Sequence, residues 1–223
     1  MILNRSNYAG RFTYFSRPRI IHNRSGPYPM SQYANAKFIL SANAPEQFLP
    51  DNGREVAVAG RSNAGKSSAI NVIVNRRQFA RTSKTPGRTQ LVNFFSLRNE
   101  ERLVDLPGYG FARVSAAVRQ HWGELLQTYF ESRNCLRGLL LVVDARRMLS
   151  DFDRQMLSFA DSVSLPVHVL LTKADKLKRS QASSALLRVQ EELIGNASVQ
   201  LFSATKRQGV DEARDVLEKF LAK

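Results

Sequence analysis

The stretch from residue 60 to residue 68, GRSNAGKSS, limits what this chain can fold into more than any other. It follows the apolar run Val56–Ala59 and precedes a segment, Ala69–Asn75, that can continue as a helix. A strand, the pattern GxxxxGK[ST] and a helix, in that order, are typical of a phosphate-binding loop. Gly60 and Gly65 allow sharp turns, so that successive amide N–H groups can face one anion at the positive end of the helix.

Two side chains of this stretch add chemistry to the backbone. Lys66 would place a positive charge against the β- and γ-phosphates of a nucleotide, and Ser67 would offer its hydroxyl to Mg²⁺. The alternative interpretation is a chance match in a glycine-containing turn. Four fixed positions between a strand and a helix favour phosphate binding over that alternative.

The net charge of +14 is the main signal in the composition. It favours a polyanionic partner, either nucleic acid or an anionic membrane surface. We favour nucleic acid and expect no membrane partner, because the sequence has no basic helix with an apolar face and no lipidation motif. The 223 residues, 43% of them hydrophobic, suit one globular domain. The single Cys135 excludes an internal disulfide, and the three histidines lack the spacing of zinc ligands.

Residues 1–36 differ from the rest of the chain, because they contain five arginines and no Asp or Glu. Three interpretations stay open: an organelle transit peptide, a disordered basic arm, and an upstream extension of a chain that starts at Met30. We favour a disordered or spurious extension over residues 1–36 and a single nucleotide-binding domain over residues 37–223. Without these arginines, 28 basic residues still face 19 acidic ones, so the domain itself is basic.

From residue 37 onward, strand-like and helix-like segments alternate. Apolar runs predict strands, with the first of them a candidate edge strand, over Phe38–Leu40, Val56–Ala59, Leu91–Leu97, Arg102–Val104, Leu139–Val143, Val167–Leu171 and Val199–Phe202. Helical spacing predicts one helix from the phosphate loop to about Asn75 and others over Ala116–Phe130, Phe152–Val163, Ala182–Ile194 and Val210–Leu221. The pattern predicts an α/β fold of the P-loop NTPase class. We expect a mostly parallel sheet of about six strands, helices on both faces and one antiparallel hairpin strand.

A second motif, Asp105-Leu106-Pro107-Gly108, follows the strand Arg102–Val104. Ligands of such a sheet bind beyond the carboxyl ends of the strands. A carboxylate there can hold Mg²⁺, usually through water, and the Gly108 amide can meet a γ-phosphate. If this tetrapeptide stood alone, it would indicate only an Asp-containing turn.

Two further motifs, Thr172-Lys173-Ala174-Asp175 and Ser203-Ala204-Thr205, also follow strands. The Asp175 carboxylate can accept two hydrogen bonds from the N1–H and N2–H₂ edge of guanine, which adenine lacks, so it would select GTP over ATP. The aliphatic stem of Lys173 can lie along the base, and a backbone amide of the second motif could reach guanine O6. Alone, these motifs would indicate a solvated turn and a helix-entry turn; their order after the phosphate loop favours guanine binding.

The segment of residues 76–89 has no periodicity and indicates a mobile loop. It contains Thr85 and Thr89, and one of them should supply a second hydroxyl to Mg²⁺ when the γ-phosphate is present, which would order the loop. Spacing does not decide between them. We favour Thr89, because the strand Leu91–Leu97 begins just after it.

In this order, the five segments resemble the signature of the translation-factor-like GTPases. GRSNAGKSS at 60–68, SKTPGRTQ at 83–90 and DLPGYG at 105–110 resemble the EngB (YsxC/YihA) family, bacterial GTP-binding proteins of ribosome assembly implicated in the large subunit. The resemblance covers roughly residues 30–223 and implies Ser67 and Thr89 as Mg²⁺ ligands. It also implies nucleotide contacts by Gly60, Arg61, Ser62, Asn63, Ala64, Gly65, Lys66, Ser67, Gly87, Arg88, Thr89, Gln90, Leu91, Asp105, Leu106, Pro107, Gly108, Thr172, Lys173, Ala174, Asp175, Phe202, Ser203 and Ala204.

Two departures from the general GTPase pattern affect the expected mechanism. Thr172 stands where Asn is commoner; it can still brace the phosphate loop, but with one hydroxyl, so nucleotide should bind less tightly. Tyr109 stands where Ras-like enzymes place a water-orienting Gln, so hydrolysis should be slow. The candidate catalytic residues are Lys66 and Asn63. By resemblance to GTPases that have such an Asn and lack the Gln, we hypothesise that Asn63 helps to bind K⁺; an indirect supporting role is the alternative.

The residues implied in partner binding are basic. Residues 76–88 contain no acid and five basic residues, namely Arg76, Arg77, Arg81, Lys84 and Arg88. We expect them to hold RNA phosphates in the GTP state, and a merely solvated surface is the alternative. The sequence thus predicts a slow, Mg²⁺-dependent GTPase, monomeric, cytoplasmic and bacterial, that acts as a switch on the large ribosomal subunit precursor and its rRNA. Two rivals stay open: an ATP-dependent small-molecule kinase, and an RNA-binding assembly factor that holds nucleotide without turnover.

Overall fold

The computed structural model describes residues 32–80, 91–110 and 116–222, with the backbone alone for residues 116–119 and 122. The strands in these ranges are β1 (Lys37–Ala42), β2 (Arg54–Gly60), β3 (Val92–Arg98), β4 (Glu101–Asp105), β5 (Leu136–Asp144), β6 (Val167–Thr172) and β7 (Ala197–Leu201). The α-helices are α1 (Lys66–Ile73), α2 (Ala116–Ser132), α3 (Asp151–Ser162), α4 (Arg179–Glu192) and α5 (Val210–Leu221).

The seven described strands form one sheet in the order β1-β3-β4-β2-β5-β6-β7. β3 is antiparallel to both of its neighbours, β1 and β4, whereas the other described pairs are parallel. The predicted α/β class with one antiparallel hairpin strand is therefore confirmed. The candidate edge strand does join the sheet, as β1, so the sheet has seven described strands instead of about six.

Helices cover both faces of the sheet, as predicted. One core layer packs α1 and α5 against the sheet, and the other packs α2, α3 and α4 against the opposite face. β6 is buried along its whole length and β5 along all but its first two residues, which explains their nearly uniform apolarity. No helix in the described part of the chain is long and apolar enough to cross a membrane.

The predicted bounds differ from the observed ones mainly at the ends of elements. The helix predicted to reach Asn75 ends at Ile73, because Asn75 itself adopts a left-handed backbone with φ 57°. β5 begins at Leu136, three residues before the predicted Leu139, because its first residues pair with Glu55 of β2. Pairing between distant strands thus extends a strand beyond its apolar run.

The start of the described chain is packed into the domain. Tyr33 and Ala36 are buried in the core layer beside α5. The Tyr33 hydroxyl donates a hydrogen bond to Glu218 Oε1 at 2.6 Å, and Arg98 pairs with the other oxygen of Glu218. Burial, reinforced by the Glu218 carboxylate, raises the pKa of Tyr33 well above its usual value. The packed domain therefore includes residues that the sequence assigns to the extension over 1–36; residues 1–31 lie outside the described ranges.

Candidate nucleotide-binding site

The phosphate loop joins the end of β2 to the start of α1 and contains the backbone conformations that its glycines allow. Gly60 has φ 155°, and a Cβ at this position would lie 2.4 Å from the carbonyl oxygen of Val142 in β5. Gly65, the residue that precedes α1, has φ 106°, and Asn63 has φ 62°. Backbone of this kind turns successive amide groups toward one concavity, which suits the oxygens of a phosphate.

Two consecutive residues at the end of β6 hold two consecutive carbonyl groups of the loop. The Thr172 hydroxyl contacts the carbonyl of Ala64 and lies 3.0 Å from the Val143 carbonyl. The Lys173 ammonium donates to the Asn63 carbonyl at 2.5 Å. Thr172 therefore does brace the phosphate loop with its single hydroxyl, and Lys173 shares that task through its charged end.

Asp144, the last residue of β5, belongs to the same assembly. Its buried carboxylate accepts hydrogen bonds from Lys173 Nζ at 3.0 Å and from the Arg146 guanidinium at 2.9 and 2.7 Å. Burial alone would raise the pKa of Asp144, but these bonds outweigh it and hold the pKa well below the usual range. Asp144 therefore stays ionised and fixes the Lys173 ammonium beside the loop.

The residues predicted to hold Mg²⁺ have a suitable set of donors. Lys66 and Asp105 form an ion pair with both side chains largely buried, and Ser67 lies next to Lys66 in the first turn of α1. A hydroxyl and a single carboxylate, completed by phosphate and water oxygens, are the hard donors that Mg²⁺ prefers. When bound, the ion would neutralise charge on the β- and γ-phosphates. The described residues contain no cluster of three or more His, Cys, Asp or Glu.

The guanine end of the site is built around Asp175. Ser203 donates a hydrogen bond from its hydroxyl to Asp175 Oδ1 at 2.6 Å, and Lys176 lies 3.3 Å from Oδ2. The Ser203 hydrogen bond, assisted by Lys176, lowers the pKa of Asp175. The carboxylate that should read guanine is thus ionised and held in one orientation.

The backbone of the last motif leaves two of its amides as candidates for the predicted contact. The Ser203 amide donates to the Gln208 carbonyl at 3.0 Å, so it is already used. Within the described residues, no backbone hydrogen bond is found from the Ala204 or the Thr205 amide. The contact to guanine O6 by one of these amides stays a prediction.

Several predicted contact residues have buried apolar side chains. Such residues could reach a nucleotide only through backbone atoms, and they are Ala64, Leu106, Pro107, Ala174 and Phe202. Phe202 also uses both of its peptide groups inside the chain, since its amide donates to Leu171 and its carbonyl accepts from Ala174. Phe202 is a buried core residue, and its expected nucleotide contact stays a prediction.

A family model described as 50S ribosome-binding GTPase matches residues 55–173, more than half of the chain. The chain belongs to the 50S ribosome-binding GTPase family. The matched range contains the phosphate loop, the Asp105–Gly108 motif and β6, and it ends at Lys173.

Solved structures support the fold of this GTPase. A GTP-binding protein engB is 20% identical with a TM-score of 0.63, and the match covers 75% of this chain and 98% of that one. Era in complex with MgGDPNP and nucleotides 1506–1542 of 16S ribosomal RNA is 22% identical with a TM-score of 0.58, over 75% of this chain and 56% of that one. The elongation factor SelB from Methanococcus maripaludis with GppNHp is 19% identical with a TM-score of 0.56, over 79% and 35%.

In this GTPase, Tyr109 is directed away from the phosphate loop. Its ring is buried and its hydroxyl donates to Asp153 Oδ1 of α3. Its carbonyl accepts a hydrogen bond from the Ser62 amide at 2.8 Å, and Gly108 lies so close that a Cβ there would be 3.2 Å from Ser62 Cα. The pKa of Tyr109 is raised well above its usual value by burial and by the Asp153 carboxylate. Tyr109 is therefore neutral, and its hydroxyl is bonded to Asp153, so it does not replace the water-orienting Gln of Ras-like enzymes.

Some residues of the site were missed and some cannot be placed. Asp144 and Arg146 were missed, although Asp144 directly follows the predicted strand Leu139–Val143. The predicted contacts Gly87, Arg88 and Gln90 and the predicted Mg²⁺ ligand Thr89 lie outside the described residues, as does Thr85. Leu91 is half-buried just before β3, and Asn63 is exposed with no described side-chain bond, so its role stays a prediction.

Proposed function

We propose that this GTPase is a guanine-nucleotide switch with slow, Mg²⁺-dependent hydrolysis that acts in the assembly of the large ribosomal subunit. The observation that carries the guanine part is the ionised Asp175 carboxylate, fixed by Ser203 beyond the end of β6. A carboxylate that accepts two hydrogen bonds from the guanine edge finds no matching donors on adenine. Because adenine would leave this buried carboxylate without these hydrogen bonds, recognition of this kind is selective.

The proposed hydrolysis uses groups of the chain that stabilise phosphate charge. Lys66, the loop amides and the Mg²⁺ donors Ser67 and Thr89 would neutralise the charge that develops while water attacks the γ-phosphate. No described residue is an evident general base, and Tyr109 is bonded to Asp153 instead of to the attacking water. These features support a slow intrinsic rate that rises on a ribosomal particle.

A role for K⁺ is part of the proposal, because Asn63 is exposed at the loop and has no described side-chain partner. Its amide oxygen would help to hold a K⁺ ion that adds positive charge at the transition state. Turnover should therefore be faster in K⁺ than in Na⁺ at equal ionic strength, and Asn63→Ala should remove the difference. Equal rates in both salts would restrict Asn63 to an indirect supporting role.

The proposed partners are the large ribosomal subunit precursor and its rRNA, with the protein a cytoplasmic bacterial monomer. Support comes from the family description as 50S ribosome-binding, from the similarity to Era, which was crystallised with ribosomal RNA, and from the net charge of +14. The basic residues of the segment 76–88 would hold RNA phosphates. Binding to ribosomal particles should then weaken steeply as salt is raised.

The test is a competition titration of fluorescent GDP against GTP, ATP and GMP, with and without purified large ribosomal subunits. We expect guanine-selective binding, with the GTP form preferring the particle. Asp175→Ala should abolish the preference for guanine, and Asp215→Ala, which removes an exposed carboxylate of α5, should leave it unchanged. Preference for ATP, or selectivity that survives Asp175→Ala, would instead support an ATP-dependent kinase.

One observation favours a second candidate, an RNA-binding factor that holds nucleotide without turnover. The hydroxyl of Tyr109, the residue at the position of the water-orienting Gln, is bonded to Asp153 and so is not available to orient water. Multiple-turnover phosphate release in the presence of ribosomal particles separates the two candidates. Release that exceeds one phosphate per protein supports the GTPase switch, and its absence supports the non-hydrolysing factor.

A further inference from the structure

A cleft of about 260 Å³ lies on the side of the phosphate loop that faces α3. One wall is the loop segment 61–64, and the other is the segment that connects β5 to α3. We call it the α3 cleft, and its charged lining residues are Arg61, Asp144, Arg146, Arg147, Asp153 and Lys173. Because the loop wall belongs to the nucleotide site, any partner in this cleft would touch the same backbone that holds the phosphates.

The charges of the α3 cleft are unequally neutralised. Arg146 and Lys173 both pair with Asp144. The Asp153 carboxylate accepts hydrogen bonds from the Tyr109 and Ser150 hydroxyls. It forms no ion pair with a cation among the described residues.

The remaining cations of the cleft, Arg61 and Arg147, have no ion pair among the described residues. Arg147 is also exposed. Guanidinium groups that present a free fork of N–H donors suit the oxygens of a phosphate group.

An exposed aromatic residue, Phe152, directly precedes the lining residue Asp153 in α3. Phe152, in the first turn of α3, is 53% exposed, and its ring centroid lies 5.9 Å from that of the buried Tyr109. Exposed aromatic rings next to arginines are the arrangement on which unpaired nucleic acid bases stack while their phosphates are neutralised.

We propose that the α3 cleft and Phe152 form a binding surface for a single-stranded RNA segment. Arg61 and Arg147 contact its phosphates, and Phe152 stacks on one of its bases. The inference rests on the proposed function for the existence of an RNA partner, and it adds where that partner binds. It is distinct from the basic segment 76–88, because it is formed by the phosphate loop and the β5–α3 connection.

Tyr109 links this surface to the nucleotide. Its carbonyl holds the Ser62 amide of the phosphate loop, and its hydroxyl holds Asp153 in the opposite wall. Asp153 in turn accepts hydrogen bonds from the Ser150 amide and hydroxyl at 2.7 and 2.6 Å, which cap α3. A displacement of Gly108 on binding of the γ-phosphate would therefore move Tyr109 and, through Asp153, the start of α3. Tyr109 is a positioning residue that makes RNA affinity depend on the bound nucleotide.

The first experiment measures binding of the full chain to a fluorescent single-stranded oligouridylate and, separately, to inorganic polyphosphate. Phe152→Leu keeps an apolar cover over Tyr109 but cannot stack, so it should weaken RNA binding about tenfold and leave polyphosphate binding unchanged. Arg147→Ala should weaken both about fivefold and reduce the salt dependence by roughly one ion. The matched controls Leu187→Ala and Arg188→Ala change exposed residues of α4 and should bind as the wild type does.

Phe152→Leu and Arg147→Ala should keep the wild-type affinity for GDP, which would show that these two variants are folded. If Phe152→Leu and Arg147→Ala bind RNA and large ribosomal subunits as tightly as the wild type, the inference is overturned while the proposed function stands. If the wild type itself binds neither RNA nor large subunits, the proposed function and the inference fall together. Wild-type binding to large subunits but not to RNA would overturn the inference alone and assign the cleft to a protein partner.

The second experiment tests the link through Tyr109. The ratio of RNA affinities in the GppNHp and GDP states is measured for the wild type, Tyr109→Phe and Asp153→Ala. Both variants break the hydroxyl–carboxylate contact, and we expect the ratio to fall close to one in each, with guanine selectivity retained. A ratio that stays at the wild-type value in both variants would contradict the link.

Discussion

Buried charges lie at both ends of the strands, but the charges at the amino ends and those at the carboxyl ends differ in their partners. At the amino ends of the strands, Glu55 is fully buried and is surrounded by Arg102, Arg133 and Tyr129. At the carboxyl ends, the largely buried Lys66 pairs with Asp105, and the partly exposed Lys173 pairs with Asp144 beside the phosphate loop. The charges at the amino ends are neutralised within the protein core, whereas those at the carboxyl ends lie where a ligand is expected to bind.

The amino-end cluster, formed by Glu55, Arg102, Tyr129 and Arg133, is closed by the chain itself. Arg133 lies 2.6 Å from Glu55 Oε1, Arg102 lies 3.0 Å from the same oxygen, and Tyr129 donates to Oε2 at 3.1 Å. Arg133 also donates to the Leu49 carbonyl at 2.5 Å. Burial and the charge of Glu55 raise the pKa of Tyr129 well above its usual value. Every partner here is a fixed group of the protein.

The nucleotide site distributes its contacts differently. Thr172 and Lys173 bond to carbonyl groups of the phosphate loop, so the carbonyls are satisfied from one side. Two amide groups of the loop are also used, because Ser62 donates to the Tyr109 carbonyl and Ala64 donates to the Arg61 carbonyl. The left-handed residues Asn63 and Gly65 turn the backbone so that other amide groups can face a phosphate. Such backbone costs stability, and a bound phosphate would add hydrogen bonds to it. Changes at the two ends should therefore affect different measurements.

The largest effect is expected for the amino-end cluster. Glu55→Ala leaves two buried arginines without their carboxylate and should lower the free energy of unfolding by about 3–5 kcal/mol. Urea unfolding measures this loss. The control Glu192→Ala breaks the surface pair with Arg154, which is 2.8 Å long, and should cost less than about 1 kcal/mol. Equal losses in both variants would contradict the distinction between the two ends.

The next effect is at the guanine end of the site. Asp175→Asn replaces the carboxylate that accepts from guanine, and the loss of two charge-assisted hydrogen bonds should weaken GDP binding on the order of a hundredfold. The free energy of unfolding without nucleotide should change much less than in Glu55→Ala. Isothermal titration and urea unfolding of the same samples compare the two. If Asp175→Asn loses stability but keeps its affinity for GDP, Asp175 stabilises the fold and does not bind guanine.

A smaller effect is expected where the sheet holds the loop. Thr172→Val keeps the shape of the side chain but removes the hydroxyl that contacts Ala64 and Val143, so GDP should bind about tenfold more weakly. The dissociation rate should account for most of the change, because the loop is less well held around the bound phosphates. Stopped-flow release of fluorescent GDP measures this rate, and Thr172→Ser should restore it.

The smallest effect concerns His168 on β6, which lies between the two ends. Its ring nitrogens lie 2.8 Å from Ser198 Oγ and 2.9 Å from Gln200 Oε1. Burial, with the nearby charge of Lys219, lowers its pKa despite the Gln200 bond. The folded protein therefore binds the proton less readily than the unfolded chain does. The contribution of His168 to stability is full above the ordinary pKa of about 6.5 and is lost as pH falls below it.

Unfolding measured between pH 7 and pH 5 checks the effect of His168. The free energy of unfolding should fall toward pH 5 in the wild type and fall less in His168→Asn. The control His121→Asn changes an exposed histidine near the Asn43 carbonyl and should keep the wild-type slope. Identical slopes in wild type and His168→Asn would contradict the prediction.

The fold was largely predictable because each signal was local. Apolar runs of strand length and helical spacing between them specify a parallel sheet with helices on both faces. The phosphate loop was predictable for the same reason, since two glycines at fixed spacing determine where its backbone can turn. Bounds were less predictable, as at β5, because pairing with Glu55 extends that strand beyond its apolar run.

The sequence by itself determined the order of the motifs and the chemistry of Lys66, Asp105 and Asp175. It could do so because these residues follow strands, and residues that follow parallel strands meet at one edge of the sheet.

Only the tertiary structure decided which partner each side chain takes. Tyr109 bonds to Asp153, 44 residues away, and Lys173 bonds to the carbonyl of Asn63, 110 residues away. No local pattern contains these distances, because they depend on how α3 and β6 pack against the loop.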